Sequence, residues 1–191
     1  MSLLLRKQCQ PVLDAVGLQN YHVRISDDMW KVLVISGECG KPLCRVEGIK
    51  FSKANPTAAE RDYATELLDA WVVTHKAKID NVVKLATAFS KLPPMEPDTK
   101  DGFKVRLNAY GDSYIDVIDD SNMTKTCVTF EGKVFALSAL GGIDGALSVT
   151  NFKLNKKKIT KAVAYGKDFA AYVKKQEELQ DAKSQLAACE I

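Results

Sequence analysis

Leu43-Cys44-Arg45-Val46-Glu47-Gly48-Ile49-Lys50-Phe51, followed closely by Asn55-Pro56-Thr57 and Glu60, is where the chain changes its hydrophobic period. Up to Phe51 the residues favour strand and partly alternate, as a strand packed on one face requires. Beyond Glu60, Ala64, Leu67, Leu68, Trp71, His75, Ile79, Val82, Val83, Ala86 and Phe89 form one stripe at a spacing of three to four. That spacing predicts a long helix. Two starts overlap: Asn55 as N-cap with Pro56 at the first helical position, or Thr57 and Glu60 as a capping box. Leu92-Pro93-Pro94 ends it. At about 1.5 Å per residue the helix reaches roughly 50 Å, longer than a small domain is wide.

Upstream, Tyr21 to Ile25 and Lys31 to Ile35 read as two more strands, punctuated by Asp27-Asp28 and by Gly37 to Gly40. Three antiparallel strands result. Leu4, Leu5, Val12, Leu13 and Val16 give the first segment, Leu3 to Val16, helical spacing, with Pro11 expected to kink or divide it and Gly17 to stop it. Downstream, the prolines and Asp98, Asp101 and Gly102 make 93–102 a linker. Strands are expected at Phe103 to Ala109, Tyr114 to Ile118, Lys125 to Phe130, Lys133 to Ser138 and Ala146 to Leu154. Tyr110-Gly111-Asp112 and Glu131-Gly132 supply hairpin turns, and a final helix runs from about Thr160 to Ala187. The expected class is α+β, antiparallel sheets with two long helices. The expected division is 1–92, a linker at 93–102, and 103–191, two halves able to pack as one domain.

The halves echo one another. Val23-Arg24-Ile25-Ser26 is similar to Val105-Arg106-Leu107-Asn108. Gly48-Ile49-Lys50-Phe51-Ser52-Lys53 through Thr57 aligns without a gap on Asn151-Phe152-Lys153-Leu154-Asn155-Lys156 through Thr160. Each of the latter pair leads into a long helix. This points to a duplicated strands-then-helix unit with pseudo-two-fold symmetry, the second copy carrying an extra hairpin and loop from about Cys127 to Gly145. At the level of architecture alone this is similar to the Whirly and PUR-type single-strand binders. None of their diagnostic motifs is present, so the similarity carries no function.

With 191 residues, 46% of them hydrophobic, the chain has material for a real core. No apolar run approaches the roughly 20 residues of a membrane-spanning helix. The apolar run at Leu3-Leu4-Leu5 precedes its charges and lacks a cleavage site, so no secretion signal is expected. Five scattered cysteines, an odd number, favour reduced thiols and a cytoplasmic location. A net charge of +3, from 27 basic and 24 acidic residues, announces no partner by itself.

No catalytic motif is readable. His75 lies on the apolar stripe as a core histidine and His22 stands alone in a strand, so neither a His-based metal site nor a Ser-His-Asp set is expected. Cys39 and Cys44 lack a second pair for zinc. Asp116, Asp119 and Asp120 followed by Glu131-Gly132-Lys133 resemble the Asp…Glu-x-Lys order of restriction-type nucleases, but Gly132 between two strand segments suits a hairpin turn better. The Gly141 to Gly145 stretch has no phosphate-loop ending and reads as a contact loop. No metal or cofactor is expected.

The strongest local signal is basic. From Lys153 to Lys175 eight lysines stand against the single acid Asp168, an excess of seven (8 − 1). Phe152, Tyr165, Phe169 and Tyr172 interleave with them, a mixture able to neutralise phosphates and stack on bases. Lysines at a helix start also oppose its dipole, as if an anion belonged there. The candidate nucleic-acid-binding residues are therefore Lys153, Lys156, Lys157, Lys158, Lys161, Lys167 and Tyr165, with Lys50 and Lys53 at the echoing junction as helpers. In the competing reading the lysines are a solvated face and Phe169, Tyr172, Leu179 and Leu186 a buried stripe. The expected function is a non-enzymatic nucleic-acid binder. The alternative is an assembly or inhibitor protein that meets other proteins, or itself, through long helices and the Gly-rich loop; a metal-dependent nuclease is least favoured.

Overall fold

A computed structural model describes residues 3–37, 42–52, 55–98, 102–107, 113–118, 125–136, 147–148 and 156–188. The chain is α+β, with helices and two antiparallel sheets, one of three strands and one of five. It divides into two compact units: Met1–Lys91 together with Gln176–Ile191, and Leu92–Lys175.

In the first unit α1 (Leu3–Ala15) leads to β1 (Tyr21–Ile25), β2 (Lys31–Ser36) and β3 (Pro42–Glu47), then to α2 (Ala58–Ser90). Pro11 lies inside α1 without dividing it. The helix stops where the sequence places the stop. Gly17 has φ +81, Leu18 N–H donates to Leu13 C=O at 2.9 Å and Gly17 N–H to Asp14 C=O at 3.1 Å. These two bonds satisfy carbonyls that a helix end otherwise leaves unpaired. β1 pairs with β2 at Val23↔Val34, and β2 with β3 at Val32↔Val46, a register that turns Val23, Val32, Val34 and Val46 into the core. β3 ends at Glu47, short of the expected Phe51, because Gly48 and Phe51 donate their N–H groups to the Trp30 and Met29 carbonyls of the β1–β2 turn.

Of the two helix starts, Thr57 is the one used. Its hydroxyl accepts from Glu60 N–H at 3.2 Å and its own N–H donates to Glu60 Oε2 at 2.6 Å. Ala64, Leu68, Trp71, Val72, Ile79 and Val82 are the buried face. α2 bends at His75 (φ −110, ψ 16), whose Nδ1 lies 3.0 Å from the Trp71 carbonyl. The carbonyl can only accept, so Nδ1 carries the proton, and a side chain competing for that carbonyl accounts for the bend.

The second unit is a five-stranded meander, β4 (Phe103–Arg106), β5 (Tyr114–Ile118), β6 (Lys125–Thr129), β7 (Val134–Ala136) and β8 (Leu147–Ser148), with the first part of α3 (Lys156–Ala187). Glu131-Gly132 forms the β6–β7 turn, closed by Thr129 N–H to Lys133 C=O at 2.9 Å with Gly132 at φ +86. Phe103, Val105, Ile115 and Val128 of the sheet meet Ala162 and Phe169 of α3. Gly166 lets the helix approach closely: a Cβ there would stand 2.8 Å from the Ile115 side chain. α3 begins four positions before the expected Thr160. Thr160 therefore sits within the helix, its hydroxyl donating to the Lys156 carbonyl at 3.0 Å, whereas Thr57, its aligned counterpart, is an N-cap. The Tyr110 to Asp112 turn, the Gly141 to Gly145 loop and the aligned segment 151–155 lie outside the described residues.

Candidate nucleic-acid interface

The phase of α3 is set by what it buries. Ala162, Gly166 and Phe169 are buried, and Ile159, Val163 and Val173 pack beside them on the second unit's core. At about 100° per residue these positions share one side of the helix. The opposite side then carries Lys157, Lys161 and Lys175 in one row, Lys156, Lys167 and Lys174 form a second row at its flank about 100° away, and all six are exposed. From Lys156 to Lys175 the face extends roughly 28 Å at about 1.5 Å per residue. Asp168, also exposed, falls in the row of Lys157, Lys161 and Lys175. No acidic residue occupies the first turn of α3, so the lysines add to the positive end of the helix dipole.

The remaining candidates are placed differently. Lys158 is half-buried at the margin of the face. Tyr165 is half-buried against the core and its hydroxyl donates to the Glu96 carbonyl at 2.6 Å, so its ring lies to the side of the lysine rows. Phe169 is buried and Tyr172 half-buried. Phe169 is thus turned away from the lysines, while Tyr165 and Tyr172 border the row of Lys157, Lys161 and Lys175. Lys50 is exposed in the first unit; Lys153 and Lys53 lie outside the described residues.

One carboxylate answers the lysines from the sheet. Glu131, in the β6–β7 turn, is held below the usual carboxylate range, first by its hydrogen bond with Thr129 and then by its own backbone, with Lys133 and Lys167 adding attraction. Lys167 is thereby partly offset.

The carboxylates of the nuclease-like series are occupied or apart. Asp116 is 3% exposed on the sheet face opposite α3; its Oδ2 accepts from Arg106 Nε at 2.7 Å and its Oδ1 from the Cys127 thiol at 3.1 Å. This Arg106-Asp116-Cys127 chain crosses three adjacent strands, and its ion pair raises the Arg106 pKa. Glu131 sits exposed in the hairpin, and Asp119 and Asp120 lie outside the described residues. Among the described residues no group of three or more His, Cys, Asp or Glu side chains is arranged to hold a metal ion. Cys44 is buried in the first unit's core, and Cys39 is outside the described residues.

Beyond the lysine face, Lys174 to Glu178 are five successive exposed positions, more than a full helical turn. Leu179, Ala182 and Leu186 then enter the core of the first unit. The apolar stripe available for pairing with another helix is therefore used within the chain. Among the described residues no helix is long and apolar enough to cross a membrane. Compared with protein-family models, curated proteins and solved structures, the chain matches none of them.

Proposed function

We propose that this is a non-enzymatic nucleic-acid-binding protein that holds a phosphate backbone along the lysine face of α3. The observation that carries the reading is the phase of the helix: Gly166 and Phe169 turn inward, so Lys156, Lys157, Lys161, Lys167, Lys174 and Lys175 turn outward together. A row of this kind binds by releasing counterions from the phosphates, which makes affinity steeply dependent on salt. With Phe169 buried and the Tyr165 hydroxyl bonded to the Glu96 carbonyl, contact is mainly through charge and carries little sequence preference.

The test is fluorescence anisotropy with labelled single-stranded and duplex DNA and RNA over a salt series. The protein is expected to bind, and replacing Lys156, Lys157 and Lys161 by glutamate to weaken binding and flatten its dependence on salt. For duplex DNA each lost phosphate contact removes about 0.9 from the slope of log K against log salt, so three remove about 2.7. Binding that is unchanged in this variant sinks the reading. The recurrence of an antiparallel meander followed by a long helix supports, within the same proposal, a duplication of 1–92 and 103–191 about the 93–102 linker; the unlike positions of Thr57 and Thr160 limit it to architecture.

A further inference from the structure

The central strand β2 is buried at four successive positions, Val32, Leu33, Val34 and Ile35. Val32 and Val34 belong to the core of the first unit; Leu33 and Ile35 do not, and by the alternation of a strand they face the other way. The register sets Leu33 directly between Arg24 of β1 and Arg45 of β3, and Ile35 beside Pro42. With strands about 4.8 Å apart, the two arginine Cα atoms are roughly 10 Å from one another across the sheet. The result is a hollow of about 460 Å³, floored by Leu33, Ile35 and Pro42 and walled by the arginines. Small-molecule sites span roughly 300–1,000 Å³ and combine an apolar lining with a few placed polar groups.

The charges narrow the ligand. Arg24 stands 3.7 Å from Asp27, at the long end of an ion pair between two exposed side chains. The carboxylate of Asp28 is engaged within the turn by the Ser26 hydroxyl and by Trp30 N–H. These two acids and Lys31 close one end of the hollow. Arg24, Arg45 and Lys31 against Asp27 and Asp28 leave one net positive charge (3 − 2), which a single negative charge balances and the two of a phosphomonoester exceed. The floor is aliphatic, and among the described residues that line the hollow none is aromatic, so nothing there stacks on a nucleobase. We propose that the outer face of the three-stranded sheet binds an organic monocarboxylate with an aliphatic body, its carboxylate between Arg24 and Arg45 and its chain over Leu33, Ile35 and Pro42. This site is independent of the lysine face on α3.

Calorimetric titration of the full chain with octanoate tests it, with octylammonium and adenosine monophosphate as comparison ligands. Octanoate is expected to bind one to one, and Arg24→Gln or Arg45→Gln to weaken it at least tenfold; Lys156→Glu with Lys157→Glu leaves it unchanged. In the unaltered protein, octanoate should shift the amide resonances of Arg24, Leu33, Ile35 and Arg45, a readout that does not depend on the variants folding. The proposal is overturned if octanoate does not bind, if octylammonium or adenosine monophosphate binds as tightly, if both arginine variants retain full affinity, or if the shifted amides lie elsewhere.

Discussion

Leu186→Ala isolates the contribution of the end of α3 to the first unit. Leu186 is fully buried in a core built otherwise from α1, α2 and the three-stranded sheet, and it is one of only three α3 residues, with Leu179 and Ala182, in that cluster. Truncating a buried leucine costs the transfer free energy of the removed carbons plus the cavity left behind, about 2–5 kcal/mol. Leu186 lies one residue before the end of α3 at Ala187, where the last turn can settle into part of the space, so the lower half of that range applies, about 2–3 kcal/mol. With a urea slope of roughly 1.5 kcal/mol/M for a unit of this size, the midpoint falls by about 1.3–2 M. Denaturation followed by circular dichroism measures the shift, and amide exchange locates it: protection is lost in α1, α2 and β1–β3, and in α3 beyond Glu178. Glu177→Ala, at an exposed position in the same helix, serves as the control and changes stability by less than about 0.5 kcal/mol. A loss for Leu186→Ala no larger than the control's would show that the end of α3 does not complete this core.

Arg106→Leu leaves the Asp116 carboxylate buried with the Cys127 thiol as its remaining side-chain donor among the described residues, and should cost about 1–3 kcal/mol in thermal unfolding, discounted because Arg106 itself is 44% exposed. Adding Asp116→Asn should recover part of that loss, and no recovery would remove the ion pair as its cause. Gly17→Ala forces a side chain to φ +81 and sets its Cβ 2.9 Å from Val83 Cγ1; a loss of about 1–2 kcal/mol is expected, read by the same denaturation. His22 has its pKa lowered below 6.5 by burial first and by Arg6 and Arg24 second, so the unfolded chain takes up a proton more readily than the folded one. Its contribution is complete above pH 6.5 and is lost as pH falls through the lower folded value; His22→Gln should flatten stability against pH in that window, and an unaltered profile would exclude His22 as the source. Glu60 is likewise held below its ordinary 4.5, chiefly by Thr57 N–H, so the capping box is retained above that pH and lost in acid. Glu60→Gln should remove this part of the acid dependence, measured by helicity between pH 5 and 2.

What the sequence disclosed was local, and what it concealed depended on partners far along the chain. The change of period after Phe51, the Thr57–Glu60 capping box, the stop at Gly17 and the turn at Gly132 each rest on residues within a few positions of one another, and each is found in the fold. The hollow beside Leu33 was not legible, because it depends on a register shift between Val34 and Ile35 that brings Pro42 opposite Ile35. Nor was the entry of Leu179, Ala182 and Leu186 into the first unit's core, since a sparse stripe in a polar helix does not name the surface it meets. Gly166 of α3 has its reason in Ile115, on another element. The candidate interface shows the same division. The density of lysines was plain, but the direction of the rings among them was not: the hydroxyl partner of Tyr165 is Glu96, 69 residues away, and Phe169 belongs to the core. Phe169, buried against the sheet, is not also offered to a base. The nucleic-acid reading therefore depends on the lysine charges, and it predicts a binding constant that responds to salt far more than to base sequence.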